Sequence, residues 1–90
     1  MAPENTVFVG KKGTMAYVLA VVTQLNHGAP EVTIKARGKA ISRAVDVAEI
    51  VRHKFLTETK LSAIGISTED VVSMDGTNLK ISAIEIKIAK

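Results

Sequence analysis

The alternation of apolar and polar positions predicts a strand followed by a helix in the first third of the chain. Residues 6–9, TVFV, form a short apolar run typical of strands that are buried on both faces. After a turn, residues 14–26 repeat apolar side chains at helical spacing, and the predicted inward stripe is Met15, Val18, Leu19, Val22 and Leu25. The other sides of this helix carry almost no charge, so we expect a second copy of the chain to cover part of it.

A second strand and a second helix follow. Residues 31–37 alternate as a strand does, with Val32, Ile34 and Ala36 on one face. Residues 40–55 have the pattern of an amphipathic helix. Its predicted inward side chains are Ile41, Ala44, Val45, Ala48, Val51 and Phe55.

The last third of the chain reads as a hairpin. Two alternating segments between residues 61 and 90 flank Asp75-Gly76, a dipeptide typical of hairpin turns. The polar stretch 69–80 offers few core residues, and we expect it to project as an arm. The order β-α-β-α-β-β predicts an α/β fold, a two-layer sandwich in one domain over residues 1–90. The crossover helix makes the first two strands parallel.

Composition excludes several classes of site. The 90 residues are 47% hydrophobic, enough for a core, and contain no cysteine, which excludes disulfides and thiolate chemistry. The two histidines lack the spacing of metal ligands, so neither a metal nor another cofactor is expected. The longest apolar run, residues 15–22, is too short to span a bilayer, and no signal peptide is recognised. We expect a soluble, cytoplasmic protein.

Positive charge is concentrated in two short clusters. The net charge is +3, but residues 1–54 hold eight Lys and Arg against four acids, a net charge of +4. Lys11 and Lys12 lie in the turn between the first strand and the first helix. Arg37, Lys39 and Arg43 surround the start of the second helix. Because parallel neighbouring strands end at the same edge of a sheet, the two clusters should form one patch.

The patch has the chemistry of an anion site. Cations are unfavourable at a helix N-terminus, by a few tenths to about 1 kcal/mol each, so their presence there suggests a function. Lysine and arginine would join the free N–H groups of the helix ends in binding an anion. The spacing of a phosphate-binding loop is absent, and no carboxylates are placed for Mg²⁺. A polyanion therefore fits better than a mononucleotide.

Aromatic residues favour a duplex over a single strand. Phe8 and Tyr17 lie within apolar segments and are predicted to be core residues, whereas Phe55 ends a helix and is free to be exposed. Single-strand binders need exposed stacking platforms, so contact with a duplex backbone, with little sequence specificity, is favoured. Three alternatives stay open: an RNA chaperone or ribonucleoprotein subunit, a small phosphotransferase or nuclease, and an assembly module whose charge serves solubility. The absence of a carboxylate cluster or a nucleophile–base pair argues against an enzyme.

Three segments together resemble the archaeal chromatin protein family Alba, also called Sac10b. They are VFVGKKGTMAYVLAVVTQLN, EVTIKARGKAISRAVDVAEIVRHKFL and SAIEIKIAK, which cover nearly the whole chain. Gly13 stands where the family usually has proline, which predicts a looser turn around the lysines. Lys39 replaces an arginine and keeps the charge but loses the bidentate fork.

The resemblance implies a fold like the C-terminal domain of bacterial translation initiation factor 3. It also implies a homodimer, or a heterodimer with a paralogue, that compacts double-stranded DNA on the chromosome and often binds RNA. The basic turns would grip the duplex, and acetylation of Lys11 would weaken that grip. Phe55 would lie at contacts between neighbouring dimers. The hairpin would reach along a groove through Asp75, Gly76, Asn78 and Lys80.

Overall fold

The computed structural model describes residues 5–90, which form four strands and two helices. Their bounds are β1 Thr6–Phe8, α1 Thr14–Asn26, β2 Glu31–Arg37, α2 Ile41–Ile50, β3 Lys60–Val72 and β4 Asn78–Ala89. A 3₁₀ turn over Gly38–Ala40 leads into α2, and a π-helical turn over Val51–Phe55 continues it. The predicted β-α-β-α-β-β order is confirmed.

The four strands form one sheet in the order β1-β2-β4-β3. β1 and β2 are parallel, with Phe8 opposite Lys35, as the crossover helix predicts. β4 is antiparallel to both β2 and β3. Because β1 and β2 run in the same direction, the turns that follow them leave the same edge of the sheet.

The core lies between the two helices and one face of the sheet. Val32 and Ile34 of β2 are fully buried, and their register partners Ile88 and Ile86 in β4 are buried with them. From the helices, Val18, Val21, Leu25, Val47 and Val51 close this layer. The predicted inward face of β2 is confirmed, and Ala36 belongs to it.

The predicted inward faces of the helices are partly wrong. In α1 the side chains of Tyr17 and Val21 are buried, whereas Met15 and Leu19 are exposed. A helix that is apolar on nearly every side has no polar stripe to set its rotation, so periodicity alone could not choose the face. In the second helical segment Val47 is buried, and the predicted core residues Val45 and Phe55 are 41% and 43% exposed.

Phe8 does not lie in the core, contrary to the prediction. Its neighbours Val7 and Val9 are buried under the helices, and Phe8, between them, is 54% exposed. Side chains alternate between the two faces of a strand, so Phe8 and its partner Lys35 share the face that the helices leave uncovered. We call this the open face of the sheet. The strand is therefore buried on one face rather than two.

The hairpin extends beyond the body of the molecule, as predicted. β3 and β4 stay paired as far as Val72 and Asn78, and the turn between them contains Gly76 with a positive φ of 85°. The segment 69–80, called the hairpin arm, is largely exposed. The described residues span 45 × 23 × 23 Å. Neither helix within residues 5–90 has the length and hydropathy needed to cross a membrane.

Candidate nucleic-acid interface

The two basic turns meet at one edge of the sheet. The Nη1 of Arg43 donates a hydrogen bond of 2.6 Å to the carbonyl oxygen of Gly10, across 33 residues of sequence. The backbone N–H of Val9 also donates to the carbonyl of Lys35, at 2.8 Å. The predicted adjacency of the two clusters is therefore confirmed. We call the set Lys11, Lys12, Arg37, Lys39 and Arg43 the basic edge.

The first turn is held by a phenol. The hydroxyl oxygen of Tyr17 accepts hydrogen bonds from the backbone N–H groups of Gly10, at 2.9 Å, and Lys12, at 3.0 Å. Tyr17 is buried in the core, so its ring anchors the turn while both lysine side chains remain exposed. Gly13 has φ −63° and ψ 148°, values within the range that proline imposes. The looser turn expected at Gly13 stays a prediction, and the two hydrogen bonds to Tyr17 would act against it.

The second turn depends on a glycine. Gly38 has φ +60°, in the left-handed region where a side chain is strained, and it redirects the chain from β2 into the 3₁₀ turn. Lys39 lies within that turn and is exposed. The first turns of α1 and α2 contain no acidic residue, and neither helix has a side-chain cap. Their N-terminal N–H groups and dipoles therefore add to the positive potential of the basic edge.

Two arginines of the basic edge already have protein partners. Arg43 is half-buried, and its bond to Gly10 uses one of the five N–H donors of the guanidinium, which leaves others for a ligand. Arg37 pairs with Glu69 of the hairpin arm, with 3.2 Å between Nη1 and Oε1. Both partners of that pair are about half exposed. A phosphate approaching Arg37 would compete with a carboxylate.

The hairpin arm is acidic rather than basic. Lys80 pairs with Asp70 at 2.9 Å, and Glu69 and Asp75 leave the segment 69–80 with a net charge of −2. Asp75 shapes the turn: its Oδ1 accepts hydrogen bonds from the hydroxyl of Ser73 and from the N–H of Thr77. These bonds, that of Ser73 above all, lower the pKa of Asp75 to about 2.

The predicted groove residues therefore have unequal chemistry. Asp75 is ionised and repels phosphate, and Gly76 supplies the left-handed backbone of the turn. Lys80 is paired with an acid, and Asn78 begins β4 as an exposed, neutral hydrogen-bonding group. Their contact with a groove stays a prediction, and Asn78 is the residue best suited to it.

Other sequence-predicted features fall outside the basic edge. Phe55 ends the π-helical turn and is 43% exposed, which leaves it free for a contact with another molecule. Glu49 pairs with both Arg52 and His53 on the surface. Within residues 5–90, no group of three or more His, Cys, Asp or Glu lies close enough to hold a metal ion.

Two residues of the interface escaped the sequence analysis. Tyr17 was assigned to the core correctly, but its hydroxyl was overlooked, although a buried phenol ordinarily needs a hydrogen-bond partner. Glu69 lies 32 residues from Arg37, and no local pattern links an arm acid to a turn cation.

The model of the family described as Alba matches residues 5–70. The chain belongs to the Alba family. Among curated Alba relatives, the DNA/RNA-binding protein Alba 1 of Archaeoglobus fulgidus is 63% identical over 87 residues, covering 97% of each chain. The DNA/RNA-binding protein Alba of Methanocella arvoryzae is 59% identical over 86 residues, covering 96% of this chain and 90% of that one.

Solved structures of Alba proteins have the same fold. Alba from Thermoplasma volcanium superposes with a TM-score of 0.90 at 53% identity and covers 94% of this chain and 99% of its own. ALBA1 from Trypanosoma brucei superposes with a TM-score of 0.81 at 28% identity, covering all of this chain and 72% of its own. These superpositions confirm the α/β fold that the sequence pattern predicts.

Proposed function

We propose that the protein is a dimeric nucleoid protein that binds double-stranded DNA through the phosphate backbone, with little sequence specificity. The observation that carries this proposal is the Arg43–Gly10 hydrogen bond, which joins two basic turns into one edge. Four of the five cations of that edge are exposed, and two helix N-termini without acids adjoin them. The names of the relatives, DNA/RNA-binding proteins, agree with this chemistry.

A homodimer is supported by an apolar surface away from the basic edge. Ile64 and Ile66 of the edge strand β3 are 58% and 83% exposed. Their register partners in β4 face the helices, so both isoleucines project on the helix side, beyond the cover of α2. Val45, one turn from Ile41 in α2, is 41% exposed. A second copy bound at this surface would bury apolar area and would place a second basic edge in the same dimer.

The dimer multiplies the electrostatic contribution. Two copies of the five cations would contact up to roughly 10 phosphates, and counterion release then gives a salt slope of about −0.9 per contact. Such binding compacts DNA without reading its sequence, and the protein would act in the cytoplasm on the chromosome. Acetylation of Lys11 would remove one charge from each edge and weaken binding. Phe55 would join neighbouring dimers. No catalytic step forms part of this proposal.

Structured RNA is the second candidate ligand, because the relatives are named for both nucleic acids. The basic edge presents backbone-directed cations and would accept either duplex. Titration of one duplex DNA and one structured RNA of equal length, at several salt concentrations, compares the two. The ligand with the higher affinity near physiological salt is the primary target.

The double variant Lys11→Glu, Lys12→Glu tests the proposal. We expect it to weaken binding to all DNA duplexes similarly and to flatten the salt slope by about 0.9 for each lost contact. Fluorescence anisotropy with two duplexes of unrelated sequence measures both effects. Lys60→Glu with Lys90→Glu is the matched control, since the same charge change falls at the opposite edge of the sheet. Equal effects of the two double variants would reject the basic edge as the binding site.

A further inference from the structure

The open face of the sheet contains a hollow with an aromatic wall. Its volume is about 480 Å³, within the range of roughly 300–1,000 Å³ usual for sites that hold small ligands. The exposed ring of Phe8 borders it, and two small residues also line it, Ser67 of the edge strand β3 and Ala83 of the inner strand β4. Of the residues that line the hollow, Arg37 alone belongs to the basic edge.

The strand registers place charged side chains next to the Phe8 ring on the open face. Phe8 lies opposite Lys35, and Lys35 lies opposite Glu85. One step further along the face, Arg37 lies opposite Ala83, and Ala83 opposite Ser67. The hollow therefore combines a flat apolar surface, two cations from one strand, and carboxylate and hydroxyl oxygens across from them.

We propose that this hollow binds an unstacked base of single-stranded nucleic acid. The base stacks on Phe8, as bases stack on aromatic side chains exposed on the sheets of single-strand binders. Lys35 and Arg37 contact the flanking phosphates, and Glu85 and Ser67 accept hydrogen bonds from N–H groups on the edge of the base. A base within a duplex cannot reach the ring, so this site selects single strands.

Charge and position favour this occupant over a second copy of the chain. Two cations and two acids line the hollow beside the ring, because Glu69, the partner of Arg37, lines it as well as Glu85. Burying these charges against another protein would cost more than it returns. The apolar surface at Ile64 and Ile66 suits a second copy better. Arg37 belongs to both the hollow and the basic edge, so a strand seated on Phe8 would run directly onto the lysines of the first turn.

The proposal goes beyond duplex binding and has a separate test. The chain contains no tryptophan, and its single tyrosine is buried, so Phe8→Trp introduces one exposed indole as a reporter. Titration with a ten-nucleotide oligouridine or oligothymidine should quench that fluorescence through stacking, and a ten-base-pair duplex should not. Leu19→Trp is the control, because Leu19 is equally exposed, at 54%, but lies on α1.

Affinity gives the second measurement. Phe8→Ala should lower affinity for the oligouridine by about 5- to 150-fold, the effect of losing one stacked base, while duplex affinity stays within twofold. Melting followed by circular dichroism verifies folding, and Phe8→Leu replaces Phe8→Ala if the smaller side chain destabilises the strand. An unquenched indole, single-strand affinity within twofold of the parent, or a change in oligomeric mass with unchanged affinity would each overturn the proposal. Loss of duplex binding alone, as in the lysine variants, leaves it intact.

Discussion

At the scale of single residues, a glutamate of the hairpin arm forms an ion pair with an arginine that the proposed duplex contact would use. Arg37 pairs with Glu69, and because both side chains are about half exposed, the pair is worth little in water. Binding of a phosphate to Arg37 must nevertheless displace this carboxylate. Under the proposed function, Glu69 would thus limit affinity for DNA without touching it.

Glu69→Gln should therefore strengthen duplex binding. Releasing Arg37 from an exposed pair is worth about 0.2–1 kcal/mol, or roughly a 1.5- to 5-fold gain in affinity at low salt. The salt slope should steepen, because one more cation per chain releases counterions. Glu58→Gln makes the same charge change in the loop before β3 and serves as the control. If both variants gain equally, net charge is the cause and the pair has no particular role.

The sequence predicts the adjacency of the two basic turns, but it does not predict the exposure of Phe8 or the partner of Glu69. The adjacency of Lys11 with Arg43 followed from the parallel strands, because topology alone places both turns at one edge. The exposure of Phe8 did not follow, since TVFV fits a strand buried on one face or on both. The partner of Glu69 depends on the registers of three strands, because Glu69 lies two residues beyond Ser67, which shares Ala83 as a register partner with Arg37. No short sequence pattern encodes that arrangement.

At the scale of elements, bounds were easier to predict than orientation. α1 over Thr14–Asn26 and β2 over Glu31–Arg37 coincide with the predicted ranges, because glycine and proline punctuate both. The rotation of α1 was wrong at Met15 and Leu19, since nearly every position in that helix is apolar. Where hydrophobicity is uniform, packing against the sheet decides which side is buried.

The turn of the hairpin arm makes a prediction about pH. Asp75 has a pKa of about 2 in the folded protein, below its ordinary value of 3.8. A lowered folded pKa means that the ionised carboxylate stabilises the turn. That contribution is complete above pH 3.8 and is lost as the pH falls through about 2. Ser73→Ala should raise the pKa toward 3.8, because the bond from the Ser73 hydroxyl is the largest cause of the shift.

A carbon-13 NMR titration of the Asp75 carboxyl measures this pKa directly. Ser82→Ala, on the neighbouring strand β4, removes a hydroxyl that does not bond to Asp75 and should leave its midpoint unchanged. An unshifted midpoint in Ser73→Ala would mean that the Thr77 bonds hold the carboxylate without help from the serine.

At the scale of the whole molecule, the proposed dimer depends on where a second copy would bind, because that position would decide how many cations face the duplex. The nearly uncharged surface of α1 predicts that a second copy covers that helix. The structure exposes a larger apolar surface at β3 and α2, where Ile66 is 83% exposed. A partner at β3 also shields an edge strand whose backbone would otherwise stay unpaired.

Ile66→Glu should therefore produce a folded monomer. Ile66 contributes little to the core of one copy, and a buried carboxylate in the interface would be costly. Sedimentation equilibrium should give the mass of one chain, and the salt slope of duplex binding should fall to about half. Leu19→Glu tests the rival face on α1 and should remain dimeric. A monomeric Leu19→Glu with a dimeric Ile66→Glu would place the partner on the helix instead.

The hydroxyl of Tyr17 makes the path of the first turn independent of the residue at position 13, where this chain has glycine and the family usually has proline. The Tyr17 hydroxyl oxygen, which belongs to a core residue, accepts hydrogen bonds from the backbone N–H groups of Gly10 and Lys12. These bonds, rather than the residue that follows the lysines, fix the local backbone conformation. Gly13 is free of steric neighbours within 4 Å and already follows a proline-like path. A side chain at position 13 would therefore leave the lysines beside it in place, whereas loss of the Tyr17 hydroxyl would release the backbone at Gly10 and Lys12.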